Sequence, residues 1–222
     1  MRRTASKKTR GIFGKLLLAS ALAGSLHASV AQADFIALDS TRGIGNQAWT
    51  GPLGMDFNVV TTIKVTQVGA FDSGQDGFVN AITVGIFNRD TQTLVPLSSY
   101  TLTSADTLLG QSRYGDINDV ILNVGRYSIV AQGFGSADLN GNTGGGSGGP
   151  TIDTGGGAIS FVGGARYSGV GAFTYPTIID GGPSNRYDAG TFQFSVVPEP
   201  TSAALVGIAL GVLGMSRRRR KS

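Results

Sequence analysis

Cysteine is absent from all 222 residues, which removes disulfides, thiol nucleophiles and thiolate metal sites together. Histidine occurs once, as His27, and glutamate once, as Glu199. From Asp34 onward there is no imidazole, so neither a Ser-His-Asp triad nor a His-ligated zinc can be built there. Any acid–base chemistry falls to aspartates. Basic residues are also scarce in the middle of the chain. Between Asp34 and Ser216 stand seven basic and fourteen acidic side chains, a balance of −7 hidden beneath the formal +4 of the whole sequence. The seven (Arg42, Lys64, Arg89, Arg113, Arg126, Arg166, Arg186) are scattered. A phosphate backbone would find no patch to hold it, and nucleic acid is excluded as a partner.

The remaining basic residues sit at the two ends. Arg2, Arg3, Lys7, Lys8, Arg10 and Lys15 precede an apolar run from Leu16 to Leu26, and Ala31-Gln32-Ala33 follows. Basic head, short apolar stretch and small-x-small site make residues 1–33 a signal peptide cut after Ala33, with Ala31 as the other recognition residue. At the far end stands Pro198-Glu199-Pro200, where each proline removes a backbone donor and restricts its predecessor. Residues 201–216 are almost wholly small and apolar, and 217–221 are basic. About 15 helical residues rise about 22 Å, at the short end for a bilayer core of about 30 Å. The spacing predicts a transmembrane helix over 201–216, with Arg217, Arg218, Arg219 and Arg220 held on the cytoplasmic side.

This three-part tail resembles the PEP-CTERM sorting signal of exported proteins from Gram-negative bacteria. The resemblance rests on Pro198, Glu199, Pro200, the apolar span and Arg217 to Arg220. It implies processing by exosortase, a membrane-embedded transpeptidase-like enzyme that reads the Pro-Glu-Pro segment. It further implies a transient anchor in the inner membrane, then release or transfer at the cell surface. The middle of the chain is similar to the single globular module common among such proteins. That likeness rests on Phe71 to Phe78 with Thr83 to Asn88, on Gly125 to Ala131, and on Asp180 to Tyr187. It implies little biochemistry.

Residues 34–197 read as strands separated by turns. Ile63 and Val65 alternate with Lys64 and Thr66, which describes a strand with one wet face. Ile82, Val84 and Ile86 mark a central strand, and Phe192, Phe194 and Val196 the last one. Pro96 demotes the run beginning at Leu94 to an edge or ends it. Asp72 to Gly77 is a turn by its chemistry, because aspartate bonds its own backbone and glycine supplies positive φ. Nine of the seventeen residues from Gly141 to Gly157 are glycine, which predicts a long loop with no core of its own. Eight to ten short strands without a convincing helix predict an all-β fold, an antiparallel β-sandwich of jelly-roll kind. A parallel solenoid would need a constant repeat, and the strand spacing is uneven.

Three chemistries are open to this domain. Asp72 and Asp76, or Asp138, Asn140 and Asn142 at alternate positions, offer oxygen ligands for a structural calcium. Neither stretch has a Glu at the twelfth position, and both also read as ordinary Asx turns. Trp49, in a loop rich in glycine and asparagine, is the candidate glycan-binding residue, although no second aromatic stands at strand spacing beside it. Phe71-Asp72-Ser73-Gly74 and Ile152-Asp153-Thr154-Gly155 each look like an aspartic-protease loop, but such a site needs the two face to face. The expectation is a non-catalytic surface or extracellular-matrix protein associated with exopolysaccharide. The alternative is a carbohydrate- or calcium-dependent adhesion module.

Overall fold

Alternating apolar positions set two antiparallel sheets whose inner faces meet. In this computed structural model, which describes residues 34–145 and 149–198, one sheet has five strands. Its order is β1 (Phe35–Ile36), β15 (Gly190–Val196), β4 (Ile63–Phe71), β8 (Ser112–Leu122) and β7 (Thr107–Leu109). The six-stranded sheet runs β13 (Ile178–Asp180), β12 (Ile159–Tyr167), β3 (Leu53–Val59), β9 (Gly125–Gln132), β5 (Ile82–Asn88) and β6 (Thr93–Leu102). Every pairing is antiparallel and the arrangement is sandwich-like.

The period-2 pattern decides which residues go inside. Ile63, Val65, Val68, Phe192 and Phe194 from the first sheet and Met55, Phe57, Ile82, Val84, Ile86 and Ile129 from the second are fully buried. Phe57 reaches across to Phe192 with ring centroids 5.0 Å apart, so one aromatic contact joins the layers near their centre. Each such side chain contributes about 1.5–3 kcal/mol by leaving water.

Two ribbons complete the domain. β2 (Leu38–Ser40) pairs with β11 (Pro150–Ile152), and β10 (Gly141–Asn142) with β14 (Tyr187–Asp188). The first ribbon is fastened to β15 by one side chain. Thr191 Oγ1 accepts from the Leu38 amide at 3.2 Å and donates to the Leu38 carbonyl at 2.6 Å, doing the work of a ladder rung. The glycine-rich stretch expected to be a loop is therefore strand-paired at its start, through Gly141–Asn142, and again past its middle, through Pro150–Ile152. Backbone pairing needs no side chain, which is why composition hid it.

Pro96 lies on an edge strand, as its missing donor requires. β6 continues through Pro96 on the sheet edge, with a register shift against β5 and Leu97 at φ 64°. The buried Ser98 hydroxyl accepts from the Ile86 amide at 3.2 Å and lies within bonding distance of the Ile86 and Val95 carbonyls. It repairs the ladder that the bulge interrupts. β8 begins at Ser112 and pairs with β7, a strand the sequence does not announce.

The signal peptide and the apolar segment 201–216 lie outside the described residues. Among the described residues no helix is long and apolar enough to cross a membrane.

Candidate functional site

An aromatic cleft forms where the loop of Gln47 and Trp49 meets three neighbouring segments between Tyr167 and Tyr187. Trp49, between β2 and β3, donates through its indole N–H to the Ser168 carbonyl at 3.2 Å. Its ring meets Tyr167 edge-on, with centroids 5.5 Å apart and planes at 88°. Tyr167 ends β12, where it pairs with Leu53 and Ile178, so the sheet itself fixes its place. β13 adds Ile179 and Asp180, and β14 adds Tyr187. With Gln47 and Gly181 these residues enclose about 320 Å³, at the small end of the roughly 300–1,000 Å³ typical of ligand pockets.

The polar side of the cleft is built on Arg186. Its Nε and Nη2 donate to Asn142 Oδ1 at 2.9 and 2.8 Å, and its Nη1 donates to Asp180. The guanidinium carbon lies 5.7 Å from the centroid of the Tyr187 ring. Glycine makes room for it, since a Cβ at Gly182 would stand 1.9 Å from Nη1 and one at Gly144 2.1 Å from Nη2. Asp180 also accepts from the Tyr187 hydroxyl and from the Gly182 amide, the latter at 2.9 Å. Burial pushes the Asp180 carboxyl up, but the bonds from Tyr187, Gly182 and Arg186 together outweigh it and hold it below the usual carboxylate range. Tyr187 moves the other way, raised by burial first and then by its bond to the Asp180 carboxylate. Asp180 is therefore an ionised acceptor at neutral pH. Gln47 Oε1 is engaged by Asn140 Nδ2 at 2.8 Å, which leaves its amide N–H groups as donors. Aromatic rings with one donor and one acceptor suit a hydroxyl-bearing ring, whose C–H face stacks while its hydroxyls bond at the rim.

Three of the five candidate calcium ligands, Asp72, Asp138 and Asn142, already spend their oxygens on protein donors. Asp72 is buried, and its carboxylate pairs with Arg113 Nε at 2.7 Å and accepts from the Gly77 amide at 3.2 Å. A guanidinium, with no ion needed, neutralises it. Asp76 is exposed on the same turn. Asp138 accepts from the amides of Val79 at 2.8 Å and Asn80 at 2.9 Å, clamping that loop. Asn140 donates its amide N–H to Gln47 while its buried Oδ1 accepts no hydrogen bond, and Asn142 spends its oxygen on Arg186 and the Gly144 amide. Among the described residues no three carboxylate, histidine or cysteine side chains gather as a metal cluster. Asp72 and Asp153 are not brought face to face either. Phe71, just before Asp72, bonds Ala189 ahead of β15, whereas Asp153 accepts from the Gly155 amide, and a Cβ at Gly155 would meet Phe194 near the far end of that strand.

Of the terminal signals, Pro198 is described and exposed. Ala31, Ala33, Glu199, Pro200 and Arg217 to Arg220 lie outside the described residues. Residues 196–221 match the family model for the PEP-CTERM protein-sorting motif. The chain carries a PEP-CTERM sorting motif. The motif supports export and processing by exosortase, and with them a fate at the cell surface or beyond it. No curated protein matches the chain. The motif thus speaks for the address, and the cleft is where the domain's own chemistry has to be sought.

The motif also begins inside the fold. Val196 is the last residue of β15 and pairs with Ile63, and the Val197 amide donates to the Thr62 carbonyl at 2.9 Å.

Proposed function

We propose that this is an exported, non-catalytic protein of the cell surface or extracellular matrix that binds saccharide through the cleft of Trp49, Tyr167 and Tyr187. Exopolysaccharide of the surrounding matrix is its ligand. Exosortase and the inner membrane are its partners during sorting, when the segment 201–216 serves as a transient anchor. The observation that carries the reading is the convergence of three aromatic rings with Gln47 and Asp180 in one open cleft of about 320 Å³. The reading as a non-enzyme is supported by the lack of histidine and cysteine from Asp34 onward and by carboxylates committed to structural bonds.

The test is a glycan array and a polysaccharide pull-down with protein recovered from culture medium. Wild type should bind a hydroxyl-rich glycan. Trp49→Ala should weaken that binding by about tenfold or more, as loss of a packed aromatic anchor does, and leave the polymer's chain length unchanged in both cases. Failure of the wild type to bind, or equal binding by the variant, would overturn the saccharide reading. Shortening of the polymer would overturn the non-catalytic one.

A further inference from the structure

The sorting motif and the folded domain overlap where a flexible spacer would be expected. After Val197, bonded to Thr62, only Pro198, Glu199 and Pro200 precede the apolar run. Three residues span at most about 10 Å even when extended. Any enzyme acting at this segment must come up against the end of the sandwich from which β15 emerges.

That end is formed by two neighbouring turns, each carrying the chain from one sheet to the other. Val59 pairs with Gly125 and Ile63 with Leu122, so the β3–β4 and β8–β9 turns lie side by side next to Val197. Exposed turns normally carry polar residues and glycine. These two instead present Val60, 55% exposed, and Val124, 68% exposed. Neither is used by the core, and exposed apolar side chains grouped at one site mark contact surfaces. The flanking charges are neutralised in pairs, Lys64 with Asp119 at 2.9 Å and Arg126 with Asp90. Lipid is a poor occupant for such a surface. Each nearby cation is offset by a paired carboxylate, leaving no net positive charge for anionic headgroups, and neither turn carries the tryptophan or tyrosine that favours a bilayer interface. A protein surface at the membrane boundary fits better.

We propose that the two turns bearing Val60 and Val124 are the surface on which exosortase docks while it processes the motif. The proposal rests on the exosortase part of the function given above and is independent of the cleft. The enzyme then reads a folded shape as well as a linear signal, and a correctly folded domain becomes part of the substrate.

The experiment follows loss of the tail from the full-length chain by pulse-chase in the producing bacterium. Val60→Asp with Val124→Asp should slow tail removal by about tenfold, the scale expected for losing one or two buried valines from an interface. Val170→Asp, an exposed valine far along the chain on the β12–β13 loop, should leave the rate unchanged. A Gly-Ser linker of about ten residues after Val197, able to extend about 30 Å, should slow wild type to the same level and abolish any further effect of the double variant. If the double variant fails to fold, as judged by its melting curve, the linker arm decides alone. Processing of the double variant at the wild-type rate overturns the proposal, as does indifference to the linker. Equal slowing by Val170→Asp also overturns it, and so does valine-dependent binding of the released protein to lipid vesicles. A wild-type chain that is never processed overturns the exosortase reading itself, and this proposal with it.

Discussion

Replacing Arg113 with methionine removes the cation from Asp72 while keeping much of the side chain's length. The Asp72 carboxylate is 1% exposed, so the charge left behind has no water to turn to. Its remaining partner is the Gly77 amide at 3.2 Å from each oxygen. Arg113 Nη1 also donates to the carbonyls of Ser104 at 3.0 Å and Asp106 at 2.9 Å, so the same substitution frees the β6–β7 turn. Breaking a buried pair from one side costs about 3–5 kcal/mol. A domain of this size holds about 5–15 kcal/mol in all, and Arg113→Met should therefore bring it close to unfolding. Adding Asp72→Asn removes the stranded charge and should recover most of the loss. Urea denaturation of protein recovered from the medium, with and without a chelator, measures both. A loss below about 1 kcal/mol for Arg113→Met would refute the reasoning, because interactions of this buried kind are worth more. Destabilisation of the wild type by the chelator would refute it from the other side, by showing that an ion holds Asp72.

Two further outcomes follow from single side chains. Thr191→Val keeps the shape but strands both the amide and the carbonyl of buried Leu38, at about 1–3 kcal/mol for each unsatisfied group; thermal melting should register it, and a Ser replacement should restore most of the loss. Burial raises the Tyr114 hydroxyl to about 12, so between pH 10 and 12 the folded chain keeps a proton that the unfolded chain releases. The stabilisation from Tyr114 is complete below pH 10 and is lost as pH rises through that window. Ultraviolet titration should find Tyr114 ionising late, and Tyr114→Phe should flatten the alkaline fall in stability.

The fold was legible wherever one face of a strand had to be dry. Ile63 to Phe71, Ile82 to Asn88 and Gly190 to Val196 announce themselves through apolar residues at alternate positions, and all three are paired on both sides within their sheets. β8 was only half visible, because Asp116, Asn118 and Asp119 surround its bulge and break the alternation. The ribbons of Gly141–Asn142 and Pro150–Ile152 were invisible because their ladders are made by backbone groups that composition does not reveal. The site divides in the same way. Trp49 stood out as the only tryptophan in a loop, but Ser168, which receives its N–H, is 119 residues away in sequence. The Asn142–Arg186 bonds span 44 residues. No local pattern encodes such meetings. The proximity of Asp180, Arg186 and Tyr187 around a Gly-Gly-Pro turn was the one available hint, since a carboxylate, a guanidinium and a phenol on opposite sides of a tight turn are bound to meet.

β15 has a mechanical consequence. Tyr187 and the cleft stand just before its first residue, and the tail leaves just after its last. A polymer tugging on the cleft while the tail is still tethered would load this strand lengthwise. Tension between Tyr187 and the tail would then run along the covalent backbone of this one strand, and its rungs to β4 would carry little of it. The domain is strung so that tension runs along its toughest axis.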